Sequence, residues 1–136
     1  MSNSWSITLL VGLGGFAGSV ARYGVSIASQ RYSTEWPLAT FAANVLGCLA
    51  IGVITGLSAR GETLPPEMRI ALAVGFCGGF TTMSSMIYEA AEMIRAGEYL
   101  HAMLYAAGTY LSSMAAFFAG VMAVYLIVRL GGRVWS

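Results

Sequence analysis

A few polar side chains stand in an otherwise apolar chain, and their types suggest a chemistry. Arg22 in "GGFAGSVARYG" and Asn44 in "TFAANVLG" carry hydrogen-bond donors. Tyr105, Thr109 and Ser113 recur at i, i+4, i+8 and so share one helix face. Ser84 and Ser85, in "GFCGGFTTMSSMIYEA" (Gly75–Ala90), add two more hydroxyls. A guanidinium, an amide and a row of hydroxyls can donate to a dehydrated anion, whereas cation pores commonly use rings of carboxylates. The same stretch holds Gly78-Gly79 and then Thr81-Thr82. Glycine has no side chain to restrain the backbone and threonine is β-branched, so a helix is poorly supported there. A break would free carbonyl oxygens, and freed carbonyls gathered near a symmetry axis could bind a small hard cation.

Each of these residues also has a plainer reading. Arg22 is either a cavity-facing charge or an arginine snorkelling near a helix end; at the bilayer centre it would cost ~2.5–3.5 kcal/mol on insertion scales. Asn44 either bonds a neighbouring helix or faces a solute. The Gly-Thr run is either a true interruption or a kink between packed helices. The hydroxyls form either a donor ladder or a set of groups bonded back onto their own helix. Glu89 and Glu92 fall toward the end of their apolar segment and read as interfacial charges or vestibule lining.

The elements that must position these groups follow from composition. The chain has 136 residues, is 57% hydrophobic and only 10% charged, with mean hydropathy +0.72. A soluble domain carries about 25% charged residues. So few charges cannot cover a water-facing surface, and the chain reads as an integral membrane protein. All 7 cations are Arg and all 6 anions are Glu; no physical reason for that choice is evident. The net charge of +1 and the lack of a basic run give no hint of a nucleic-acid partner. Cys48 and Cys77 lie in apolar segments and read as small buried hydrophobes, and His101 as an interfacial residue without a second ligand. "MSNSWSITLL" lacks the basic region of a cleaved signal peptide, so residues from Ile7 on read as mature structure.

A helix needs about 20 mostly apolar residues to cross the hydrocarbon core. Residues 7–29, 38–58, 70–94 and 100–128 meet that requirement, and "QRYSTEWP", "ARGETLPPEMR" and "RAGEY" separate them. The spans lack the period-two alternation of barrel strands. The expected architecture is therefore all-α: a single four-helix transmembrane domain over residues 1–136, with its third helix broken near Gly78–Thr82. Gly14 and Gly18, Gly52 and Gly56, and Gly75 and Gly79 each place two small residues on one helix face, where backbones can approach closely. One side of the membrane receives Arg60, Arg69, Arg129 and Arg133, and the other Arg31 and Arg95, plus Arg22 if it snorkels that way, four against three. Positive-inside sorting has almost no bias to act on. Insertion both ways up, and hence an antiparallel dimer, would follow.

With those residues in place, the sequence resembles the small fluoride channels of the Fluc (CrcB) family. "GGFAGSVARY" (Gly14–Tyr23), "PLATFAANVLGCLAIG" (Pro37–Gly52) and "GFCGGFTTMSSMIYEA", followed by a tyrosine-and-hydroxyl fourth span, match in order and at fitting spacing across all four helices. The resemblance implies a multi-pass protein of the bacterial inner membrane. It would be a dual-topology antiparallel homodimer, exporting cytoplasmic fluoride passively through two pores at the subunit interface. It also implies a central Na+, structural and not transported, held by backbone carbonyls at Gly78 and Thr81 of both subunits. Asn44 matches the pore-lining amide, Ser84 a third-helix serine, and Arg22 a vestibule arginine; Tyr105, Thr109 and Ser113 match the polar side of the pore. Where the family reads T-T-F-S-T-F, this chain reads Thr81-Thr82-Met83-Ser84-Ser85-Met86. Met83 and Met86 thus replace the phenylalanines whose electropositive ring edges are thought to meet fluoride, and methionine has no ring quadrupole.

Two other classes bear comparison. A small multidrug transporter is also a four-span dual-topology dimer, but it leans on an embedded carboxylate for proton coupling, and the first span has Arg22 and no acid. A non-transporting assembly subunit would have no flux of its own. No Ser/His, paired-Asp or metal-ligand constellation points to an enzyme.

Overall fold

A computed structural model describes residues 4–32, 36–59 and 64–131. The described residues are helical apart from short connections: α1 (Ser4–Ser29), α2 (Leu38–Ser58), α3 (Pro66–Ile70), a π-helical stretch (Ala71–Cys77), α4 (Gly78–Phe80), α5 (Met83–Arg95) and α6 (Tyr99–Gly131). Among the described residues, four segments are long and apolar enough to cross a membrane: Ser4–Ser29, Leu38–Ser58, Pro66–Arg95 and Tyr99–Leu130. The first starts at Ser4 rather than Ile7, and the third at Pro66 rather than Ile70, because polar residues at the span ends extend the helix without being apolar. Pro66 opens α3 at a position where its missing N–H costs nothing. Arg60 and Arg133, counted above for sidedness, lie outside the described residues.

Between α4 and α5 the backbone is extended, with φ −83° and ψ 156° at Thr81 and φ −154° and ψ 112° at Thr82. The third span therefore comprises two helical halves joined by an extended pair. The turn from α5 to α6 closes on Gly97, whose φ of 82° lies in the left-handed region that favours glycine. The Gly97 N–H donates to the Ile94 carbonyl (3.0 Å) and the Glu98 N–H to the Met93 carbonyl (2.9 Å), the double bond pattern that finishes a helix on a left-handed glycine.

Most of the surface is apolar. Trp5, Leu9, Leu13 and Phe16 are all exposed along α1, as suits side chains that lie in lipid. What holds the helices together is close backbone approach. α1 runs along the π-helical stretch and α4, while α2 runs along α6. The three spaced glycine pairs all fall at these contacts. Gly18 is the clearest case, because a β-carbon there would run into the Phe76 carbonyl oxygen and lie 2.8 Å from the Phe80 nitrogen. Both obstacles are backbone and cannot rotate away. The π-helical stretch was not foreseen: its sequence, ALAVGFC, carries no periodicity that separates it from an α-helix.

Replacing Gly18 by alanine is therefore expected to cost about 1–3 kcal/mol, the usual penalty for overpacking. Gly12→Ala, where nothing lies within 4 Å, should stay within about 0.5 kcal/mol. Equilibrium unfolding of the two variants in mixed micelles measures the contrast.

Candidate functional site

The extended pair organises the site. The Thr81 N–H and the Thr81 hydroxyl both donate to the Cys77 carbonyl, each at 2.9 Å, and so end α4. Thr82 then caps the start of α5: its Oγ1 accepts from the Ser85 N–H at 3.1 Å, donates to Ser85 Oγ at 3.1 Å and lies 3.1 Å from Ser84 Oγ. Side-chain capping of the first turn is what threonine does well.

Asn44 of α2 completes the pairing from across the bundle. Its Oδ1 accepts from the Thr82 N–H at 2.7 Å, and its Nδ2 donates to the Thr82 carbonyl at 3.1 Å. The amide thus treats Thr82 as a neighbouring strand would. In an unbroken helix the Thr82 N–H would go to the Gly78 carbonyl; here it is diverted to Asn44. The Gly79 carbonyl, also released from the ladder, accepts from Arg22 Nε at 3.2 Å and Ser19 Oγ at 3.4 Å. Arg22 therefore turns toward the third span, where its cation also meets the partial negative charge at the end of a helix.

Two concave regions flank this junction. A polar one of about 280 Å³ is lined by Ser19, Arg22, Thr40, Thr82, Ser85 and Glu89 among others. At its base the Glu89 carboxylate accepts from the Thr40 hydroxyl at 2.7 Å and from the Tyr105 hydroxyl at 2.5 Å. Tyr105 is fully buried, with Trp36 packed edge-on at 6.2 Å. The second, an apolar cavity of about 500 Å³, is lined by Asn44, Thr81, Met83, Met86, Thr109 and Ser113 with several apolar neighbours.

The predicted residues sort by this geometry. Asn44, Met83, Met86, Thr109 and Ser113 share the apolar cavity; Arg22 and Glu89 share the polar one. Tyr105 lines neither and reaches the polar region through Glu89. Gly78 and Ser84 are exposed and line neither. Met83 is 67% exposed whereas Met86 is 8% exposed. The hydroxyl row splits: Thr109 donates back to the Tyr105 carbonyl at 2.8 Å, while Ser113 Oγ is buried and has no hydrogen-bond partner in the structure. Glu92 forms an exposed pair with Arg95 at 2.8 Å, away from the site. Among the described residues no cluster of His, Cys, Asp and Glu is grouped as a metal site would require.

Sequence reasoning missed Thr40 and Cys48. The signal was there: Thr40, Asn44 and Cys48 recur at i, i+4, i+8 along α2 and present one polar stripe to the third and fourth spans.

Four helices long and apolar enough to cross a membrane, among the described residues, make this a small multi-pass membrane protein. The chain belongs to the CrcB family: the family model described as CrcB-like protein, Camphor Resistance (CrcB), matches residues 9–121. It is 45% identical over 136 residues to a fluoride-specific ion channel FluC of Prosthecochloris aestuarii, covering 100% of each chain. A FluC of Chlorobaculum tepidum is 50% identical over 114 residues, which is 84% of this chain and 90% of that relative. One from Maridesulfovibrio salexigens is 39% identical over 121 residues, 88% of this chain and 96% of its own.

Asn44→Ala leaves the Thr82 N–H and carbonyl without partners. The variant is expected to lose about 1–3 kcal/mol for each polar group so stranded, and its Thr82 amide should exchange hydrogen faster. Unfolding and hydrogen exchange in micelles read both effects.

Proposed function

We propose that this protein is a fluoride-specific channel of the bacterial inner membrane, exporting cytoplasmic fluoride passively. The observation that carries the reading is the CrcB family match over residues 9–121, in a chain whose Asn44, Thr109 and Ser113 line one cavity. Fluoride is small and tightly hydrated. Few donors in an apolar passage can replace enough of its water to admit it without holding it. The names of the relatives, all fluoride-specific ion channels, support the same choice of ion.

The functional unit is an antiparallel homodimer with two pores. Gly78 and Met83 lie at the subunit surface next to the extended pair, which suits a junction completed by a second copy, and the near-even arginine count suits dual insertion. The extended pair is the break of the third helix. Its carbonyls fit a structural Na+: the usual donor to the Gly78 oxygen is taken by Asn44, and neutral carbonyl oxygens at unwound helix ends are the donors that such sites use. Gly78 and Thr81 of both copies would hold the ion, which would tie the two interrupted helices together. Arg22 and Glu89, with Thr40, form the polar vestibule, and Ser84 adds a hydroxyl beside the Thr82 cap. Met83 and Met86 flank the ion path in place of aromatic rings.

Purified protein in liposomes, with efflux read by a fluoride electrode, tests this. Flux well above empty vesicles and above chloride flux is expected; equal fluoride and chloride efflux would sink the proposal. Ser113→Ala removes a donor worth about 1 kcal/mol and should slow flux about fivefold. Met83→Phe and Met86→Phe should speed it, and unchanged flux would put these side chains off the path. Replacing sodium by choline during purification should abolish flux, and full activity without sodium would remove the ion from the mechanism. A cysteine placed at Glu98, at the exposed α5–α6 turn, should label from both faces of the membrane in cells; labelling from one face alone would refute dual insertion.

A further inference from the structure

The apolar cavity collects sulfur as well as hydroxyls. Cys48 comes from α2, Met83 and Met86 from α5, and Met114 from α6. Cys48 is a free thiol, half-buried. A thioether donates no hydrogen bond and accepts only weakly, so a path for a hard anion gives no reason to gather these atoms. Soft metal ions do. Thiolate and thioether ligands select monovalent copper and its congener silver, whereas hard cations prefer oxygen. Methionine is unbranched with three rotatable bonds, so thioethers from separate helices can converge on an ion that rigid side chains would miss. Ile51 and Phe117 line the same cavity, and in apolar surroundings a thiolate paired with a monovalent cation is favoured over separated charges.

We infer that this cavity is a binding site for a soft monovalent metal ion of the copper(I) class, anchored by the Cys48 thiolate with thioethers of Met83, Met86 and Met114 as further ligands. On binding, the Cys48 S–H bond breaks and a sulfur–metal bond forms. The proton leaves to water, the metal stays monovalent, and no electron is transferred. One positive charge replaces another, so the net charge of the cavity does not change. The ligands come from three elements far apart in sequence, so the site exists only in the folded chain. Cys77 is 1% exposed and does not line this cavity; it serves as the comparison thiol. The inference does not depend on fluoride conduction, because its readout is metal binding.

Silver nitrate in chloride-free buffer is the probe, since silver(I) is redox-inert, and the full chain in detergent is the sample. Silver is expected to protect Cys48 from alkylation by N-ethylmaleimide, and silver-edge X-ray absorption should show thioether sulfur beyond the thiolate. The triple variant Met83→Leu, Met86→Leu, Met114→Leu should bind silver at Cys48 about tenfold or more weakly, at an unchanged melting temperature. Unchanged affinity in that variant would overturn the site, leaving Cys48 as an isolated thiol. So would an absorption spectrum with a single sulfur neighbour, or a Cys48 that silver does not protect. If the triple variant fails to fold, the X-ray absorption of the unaltered protein still decides.

Discussion

The pairing of Asn44 with Thr82 is the constraint on which the rest depends. At membrane depth a polar backbone group without a partner costs several kcal/mol, so an extended stretch between two helical halves survives only if its groups are answered. The Thr82 N–H and carbonyl are both answered by one amide, the Gly79 carbonyl by Arg22 and Ser19, and the Ser85 N–H by the Thr82 hydroxyl. Ser19, Arg22, Asn44, Thr82 and Ser85 are thus committed to a single junction. Such fully connected networks fix one geometry, because losing any member strands another.

That junction forms only because the backbones meet. In lipid, apolar side chains gain nothing by leaving their surroundings, and helices associate through close packing and hydrogen bonds. Gly18 against Phe76 and Phe80, and Gly79 against Gly15, bring α1 onto the third span, which sets Arg22 and Ser19 within reach of the Gly79 carbonyl. Gly52 and Gly120, each pressed on the other helix's backbone, do the same for α2 and α6, and these helices form two walls of the apolar cavity. The glycines therefore act on the site at a distance, by setting how far apart its walls stand.

Methionine at positions 83 and 86 gives the site its individual character. The two side chains share a cavity but differ in environment, since Met86 is packed inside the helical bundle and Met83 is largely exposed. A ring at either place would present a fixed quadrupole; a thioether presents a flexible, polarisable chain. Both methionines bring sulfur to the apolar cavity, beside Cys48 and Met114.

The number and length of the apolar spans were legible in the sequence, because hydropathy and reach belong to each segment alone. The glycine pairs and their contact role were legible for the same reason, as was the poor helix support at Gly78-Gly79 and Thr81-Thr82. Thr109 and Ser113 looked alike there, two hydroxyls one turn apart on one face. The structure separates them: Thr109 bonds back to the Tyr105 carbonyl one turn earlier on its own helix, the local alternative open to both, whereas Ser113 Oγ is buried without a partner. Likewise Asn44 could bond a helix or face a solute; the structure has it bonding Thr82 while lining the cavity. Glu89, by position an interfacial charge or vestibule lining, is held by Thr40 and Tyr105 from two other helices. Local pattern determines which segments enter the membrane, whereas the partner of a polar group depends on atoms brought near by chain far away in sequence, and no local pattern encodes that distance.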